Sequence, residues 1–135
     1  MLAVMDTCVL VSALRSRAGA SHAVLKAIRS GSIQIAISVT LAMEYEAVCL
    51  RPGLVPKLSP EQIGVVVDVL CAQARQQNIF YTWRPFLPDP GDDHVLELAV
   101  AAGARFIITQ NHKDFRGSDS LGVHTISPAQ ALTLI

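Results

Sequence analysis

The stretch Leu2-Ala3-Val4-Met5-Asp6-Thr7-Cys8-Val9-Leu10-Val11-Ser12-Ala13-Leu14 decides how the rest of the chain is read. An apolar run, Leu2 to Met5, meets one carboxylate at Asp6, and a second apolar run follows. Strand, turn and helix fit that order, which puts Asp6 at the carboxyl end of a buried parallel strand. Open α/β sheets bind their ligands at that edge. A charge there needs compensation, because an unpaired buried ion is costly. Capping of a helix that begins near Thr7 is the other use this residue type allows. Both readings stay open on this stretch alone.

Outward from it, strand and helix signals alternate. After a polar connection, Arg15 to Gly19, Ser21 is the expected cap of a helix that buries Val24, Leu25 and Ile28 and stops at Gly31. Ile33 to Ile37 reads as a second buried strand. A helix from about Val39 to Leu50 follows, broken by Arg51-Pro52-Gly53. Ser59-Pro60-Glu61-Gln62 combines an N-cap, a proline in the first turn and a capping-box glutamine. The helix it opens is expected to reach about Asn78, with a third strand over Ile79 to Trp83. Trp83, Pro85 and Phe86 form an apolar patch for the core or for a partner surface.

Leu87-Pro88-Asp89-Pro90-Gly91-Asp92-Asp93 is an acidic turn opening a helix with Val95, Leu98, Ala99 and Ala102 on its buried stripe. Gly103 ends it. Arg105 to Thr109 is a fourth strand and Gly122 to Ile126 a fifth, and Ser127-Pro128 starts a terminal helix. This alternation specifies an α/β protein with a parallel sheet covered on both faces. The expected architecture is a three-layer α/β/α sandwich on a central five-stranded sheet, with residues 1–135 as a single domain. Leu2–Met5 and Phe106–Ile108 are expected on neighbouring central strands.

With 51% hydrophobic and 16% charged residues among 135, the chain can build a real core. Cys8, Cys49 and Cys71 are odd in number and form no CxxC pair, which points to reduced thiols and away from a disulfide or structural metal framework. Met1 to Leu14 lacks the basic start of a signal peptide. No apolar run approaches the roughly 18 residues of a membrane span. A soluble, cytoplasmic protein without a membrane partner is therefore expected. The formal net charge is zero, from eleven basic and eleven acidic residues. Were four acids gathered in one metal site, the remaining surface would carry about +4, enough for a modest phosphate-binding patch.

The acids are placed unevenly. Leu41, Tyr45 and Val48 define the inward stripe of their helix, and Glu44 lies on it, where a carboxylate calls for a metal ion or an Arg as partner, a Glu snorkelling from the helix edge being the alternative. Asp92 shares a face with Val95, whereas Asp89 and Asp93 suit capping and the helix dipole. The fourth strand stops at Thr109-Gln110-Asn111, with Asp114 three residues on. In a parallel sheet all strand carboxyl ends share one edge, so Asp6, Asp92 and Asn111 to Asp114 converge there and Glu44 reaches in. Crowded carboxylates repel one another. Divalent cations remove that repulsion, and all-oxygen ligands suit Mg²⁺ or Mn²⁺. Such a site activates water and clamps a phosphodiester. Asn111, Thr7 and Thr109 are candidate supporting hydrogen-bond groups. His94 and His112, at a helix start and in a loop, are expected to be exposed and not to bind metal.

Asp6-Thr7-Cys8-Val9-Leu10-Val11-Ser12-Ala13-Leu14, the segment around Glu44-Tyr45-Glu46, Asp89-Pro90-Gly91-Asp92-Asp93 with Leu96-Glu97-Leu98-Ala99, and Thr109-Gln110-Asn111-His112-Lys113-Asp114-Phe115 together resemble a PIN domain in order and spacing. The likeness is to bacterial and archaeal PIN proteins described as toxins of toxin–antitoxin pairs, cousins of VapC-type ribonucleases. The resemblance implies an Mg²⁺- or Mn²⁺-dependent endoribonuclease acting on RNA. It implies Asp6, Glu44, Asp92 and Asp114 as metal and catalytic residues, with Asp93 as a possible supporting acid. A homodimer and an antitoxin that blocks the site belong to the same implication. Two positions depart from the family pattern. Cys8 stands where Asn or another small polar residue is usual, and Gln110-Asn111 where many members have Gly-Asp. A thiol is a poor partner for a hard cation.

Other functions fit less well. An aspartyl-phosphate phosphatase needs a second Asp at the position of Cys8, and a nucleotide-binding domain needs a glycine-rich loop after the first strand. The remaining rival is a PIN-like interaction module that has lost metal binding. The presence of all four acids favours the enzyme.

Overall fold

The computed structural model describes residues 1–79 and 86–135. Within them, five short strands form one parallel sheet: β1 (Leu2–Met5), β2 (Gln34–Ile37), β3 (Arg75–Gln76), β4 (Phe106–Ile108) and β5 (His124–Ile126), in the order β3-β2-β1-β4-β5. Helices α1 (Thr7–Arg15), α2 (Ala20–Ser30), α3 (Val39–Cys49), α4 (Pro60–Gln73), α5 (Asp93–Ala102) and α6 (Pro128–Thr133) flank it. The result is the expected α/β/α sandwich. Leu2–Met5 and Phe106–Ile108 are adjacent and parallel, with Val4 opposite Ile107.

Strands buried on both faces cannot alternate polar and apolar residues. Accordingly Ala3, Val4, Met5, Ile107 and Ile108 are all fully buried. Helix starts follow local chemistry. Ser38 accepts the backbone N–H of Leu41 at 3.1 Å. Ser59 with Gln62, and Ser127 with Gln130, each form a complete capping box followed by proline. Gly31 (φ 87°) and Gly103 (φ 71°) end α2 and α5 in the left-handed conformation that a Cβ disfavours.

Three expectations change. Ser21 does not cap α2. Gly19 occupies the cap position without a side-chain bond, while Ser21 is buried inside the first turn and accepts the Gln110 amide at 3.3 Å. Helix α4 ends at Gln73, not near Asn78, because Ala74 turns extended (ψ 154°). The third strand then falls on Arg75–Gln76, where Ala36 pairs with Arg75 and Ile37 with Gln76. An edge strand needs only backbone hydrogen bonds, so two exposed polar residues suffice and leave no apolar signature. Of the predicted strand over Ile79 to Trp83, the part from Phe80 onward lies outside the described residues, as do Trp83 and Pro85 of the apolar patch. Phe86 is 41% exposed. Among the described residues, no helix is long and apolar enough to cross a membrane.

Chain order decides where a cleft opens. From β1 the chain builds outward through β2 and β3, then returns to the other side of β1 for β4 and β5. The gap between β1 and β4 is thus the point where the order reverses, and a crevice forms outside the strand carboxyl ends there. Tyr45, fully buried, ties α3 to this edge by donating its hydroxyl hydrogen bond to the Met5 carbonyl. We predict that Tyr45→Phe, which strands that carbonyl without changing the packing volume, lowers unfolding free energy by about 1–2 kcal/mol in urea titration at unchanged m-value.

Candidate active site

One cleft at the carboxyl edge is lined by Asp6, Thr7, Cys8, Glu44, Asp92, Asn111 and Asp114, with Val11, Val48 and Leu54 as its apolar wall. All four acids singled out in the sequence border it. They arrive from four places: the end of β1, the inward side of α3, the turn before α5, and the loop after β4. Within this ring the groups differ sharply in burial and support.

Asp6 is buried, and both of its sequence-level roles hold together. One oxygen accepts the Thr7 backbone N–H at 2.9 Å, capping α1. The other accepts the Thr109 hydroxyl at 2.7 Å and the Cys8 thiol at 3.4 Å. Thr109, fully buried at the end of β4, is therefore the direct support of Asp6 across the strand gap. Burial raises the Asp6 carboxyl above its ordinary value, the bonds from Thr109, Cys8 and Thr7 pull it down, and the charge of Glu44 adds a little to the rise.

Glu44 is half-buried and clamped from two sides. The Thr7 hydroxyl donates to one carboxylate oxygen, and His94 Nε2 lies 3.1 Å from the other. The His94 contact is the main reason its pKa falls below the ordinary value. Burial opposes that fall, while Thr7 and the positive charge of Arg51 assist it. His94 is thus not the exposed helix-start residue expected from sequence: it is only 6% exposed. A polar residue in the first turn of a helix looks solvated until another helix, here α3, packs over it. His112 is exposed and bonded to Thr125 at 2.8 Å.

Asp92 faces the cleft with its carboxyl pushed up to about 6, first by burial and then by the negative charges of Asp6, Asp114, Asp89 and Glu44. Its neighbours do other work. Asp89 accepts the Gly91 N–H at 2.8 Å, and Asp93, wholly buried, accepts the backbone N–H of Leu87 at 2.8 Å and of Phe86 at 3.3 Å. That is a structural anchor for the turn. Asp114 is exposed on a short 3-10 turn over His112–Phe115. Asn111 lines the cleft, and its backbone N–H bonds the Thr109 hydroxyl at 3.0 Å.

A family model described as PIN domain matches residues 3–113. The chain belongs to the PIN domain family. No curated protein and no solved structure matches it. PIN domains are nuclease-type folds that generally act as hydrolases and typically use divalent metal ions. In this PIN domain the match stops one residue short of Asp114, the outermost of the four acids.

The donor set fits a hard cation in kind: carboxylates, one threonine hydroxyl and an asparagine around one cleft. The mutual repulsion that raises Asp92 is the field a bound cation would relieve. The side chains are not gathered into a ready coordination sphere, since among the described residues no three His, Cys, Asp or Glu groups are close enough to hold a metal ion. Cys8, its thiol raised to about 11 by burial and then by the Asp6 charge, is a protonated hydrogen-bond donor here and not a thiolate ligand.

Crowding has a consequence for stability. The folded chain holds the Asp92 proton up to about pH 6, whereas the unfolded carboxyl releases it near 3.8. Stability without metal therefore falls as pH rises through that window. Asp6 acts in the same sense, and Glu44, with its lowered pKa, in the opposite one. Melting curves in EDTA across the window should show a shallower decline for Asp92→Asn than for the parent, and equal slopes would mean that burial and the neighbouring acids do not raise the Asp92 carboxyl.

Proposed function

We propose that this protein is an Mg²⁺- or Mn²⁺-dependent endoribonuclease, the toxin of a toxin–antitoxin pair that works in the cytoplasm, with RNA as substrate, a homodimeric assembly and a protein antitoxin as partners. The observation that carries the nuclease reading is the ring of four carboxylates, Asp6, Glu44, Asp92 and Asp114, around one cleft at the switch point of a PIN sheet. The toxin setting rests on the resemblance of the motifs alone.

Asp6, Glu44, Asp92 and Asp114 would hold the cation. When bound, it neutralises the developing phosphodiester charge and makes water a stronger nucleophile at neutral pH. The chain's own groups prepare that place. Thr109 and the Thr7 backbone N–H fix the Asp6 carboxylate, Thr7 and His94 fix Glu44, and Asp93 anchors the turn that presents Asp92. Single- and double-stranded regions both offer the backbone this cleft would grip, so cleavage is expected at the phosphodiester and not at the base.

One observation favours a second reading, a PIN-like interaction module without catalysis. Both oxygens of Glu44 already have donors, and a thiol occupies position 8 beside Asp6. Two substitutions separate the readings.

Asp6→Asn should reduce metal-dependent cleavage of RNA to the level of the EDTA-treated parent. Asparagine keeps the capping oxygen, so its melting temperature without metal should equal or exceed the parent's. Parent-like cleavage by this variant would overturn the assignment of Asp6.

Cys8→Asn places an amide where a thiol now bonds Asp6, and should tighten Mn²⁺ binding and raise nuclease activity together at little cost in stability. Calorimetric titration and an RNA cleavage assay check both. Parent and variant binding no Mn²⁺ at millimolar concentration, with neither cutting RNA, would leave the interaction module as the reading.

A further inference from the structure

His94 is an ionisable side chain that the fold buries against a site acid, and its surroundings determine where its proton sits. Nε2 lies 3.1 Å from Glu44 Oε1. Glu44 has a lowered pKa, so its carboxylate is an acceptor only. A bare lone pair on Nε2 would point at that negative oxygen, so Nε2 carries the proton and donates it. Nδ1 is buried with no hydrogen-bond partner among the described residues. The geometry selects a ring whose Nε2 carries a hydrogen and donates it to Glu44.

That form is a rigid donor aimed at a flexible acceptor. Glu44 is a long side chain with 31% of its surface exposed, and it has no partner on its own helix that would hold it over the cleft. It is held by two groups from other elements, the Thr7 hydroxyl of α1 on one oxygen and His94 of α5 on the other. Each carboxylate oxygen has two lone pairs, so one per oxygen remains for a ligand. Ligating carboxylates are commonly oriented by such outer hydrogen bonds.

We propose that His94 is a positioning residue, an Nε2–H donor that holds the Glu44 carboxylate over the cleft it shares with Asp6 and Asp92. This deepens the ribonuclease reading and rests on it for its consequence in metal binding. It also sets apart His94 from the acids: it touches neither substrate nor cation and acts only through Glu44.

The test uses the full-length chain, its variants His94→Leu, His94→Gln and Glu44→Ala, and the double variant His94→Leu/Glu44→Ala. Nitrogen-15 spectra of the metal-free parent at about pH 8, where an ordinary imidazole is neutral, should show His94 carrying its hydrogen on Nε2. Glu44→Ala should shift that signal towards a mixture of the two tautomers. In calorimetric titration with Mn²⁺, His94→Leu should weaken binding by about 10- to 100-fold, and His94→Gln, whose amide N–H reaches close to the Nε2 position, should recover most of the loss. Adding His94→Leu to Glu44→Ala should cost nothing further.

A parent with the proton on Nδ1, or a His94→Leu variant that binds Mn²⁺ as the parent does, overturns the proposal. So does an equal loss from His94→Leu with and without Glu44. If the parent binds no Mn²⁺ and cuts no RNA, the ribonuclease reading fails on its own. The spectra then decide the positioning role by themselves: an Nε2–H signal that depends on Glu44 upholds it, and one indifferent to Glu44 overturns it.

Discussion

The hydrogen bond from the Thr109 hydroxyl to Asp6, 2.7 Å long, joins the ends of β1 and β4 at the point where the sheet's strand order reverses. Both residues are buried, so the bond forms in a setting where an unpaired carboxylate would be costly. It fixes the floor of the cleft. The other acids are arranged around a carboxylate that cannot move, and the same carboxylate begins α1 by capping it. One side chain thus couples the start of a helix, the pairing of two central strands and the position of the site.

From that floor the walls are raised by contacts between elements distant in sequence. Tyr45 bonds the Met5 carbonyl and brings α3 down onto the end of β1, which carries Glu44 to the cleft one residue earlier on the same helix. Glu44 then meets Thr7 from α1 and His94 from α5, thirty-seven and fifty residues away. Asp93 gives its carboxylate to the backbone of the preceding turn, and so leaves Asp92 to face the cleft. The division of labour within Asp89, Asp92 and Asp93 is a matter of which backbone N–H groups lie within reach.

Much of this was legible before any coordinates. A four-residue apolar run ended by a lone acid reads as a short buried strand, and Asp6, open in the sequence between helix cap and site acid, caps α1 and also borders the cleft. Ser59-Pro60 and Ser127-Pro128 opened helices where they were expected to, because an N-cap acts within its own first turn. Asp6, Asp92 and Asp114 could be placed from the carboxyl edge that parallel strands share, and Glu44 from its position on the inward stripe of its helix. His94 could not. Its place in the first turn of an amphipathic helix gives no sign of α3 above it, although its position directly after two acids that frame the site was a usable hint. Thr109 was visible only as a hydroxyl at a strand end, and its full burial against Asp6 was not.

The sequence by itself determined the alternation of strand and helix, the parallel sheet, the capping boxes of α4 and α6 and the edge at which the carboxylates meet, because each depends on local periodicity or on a residue's reach within one turn. Tertiary structure alone decided the rest. It placed the edge strand on Arg75–Gln76, where backbone pairing needs no apolar side chain. It buried Ser21 and His94, whose neighbours come from other elements. It also supplied the backbone donors of Asp89 and Asp93 that leave Asp92 to the cleft, a division the helix faces had already suggested. A carboxylate's pKa and partners are set by what surrounds it in space, and that is settled only when distant segments pack.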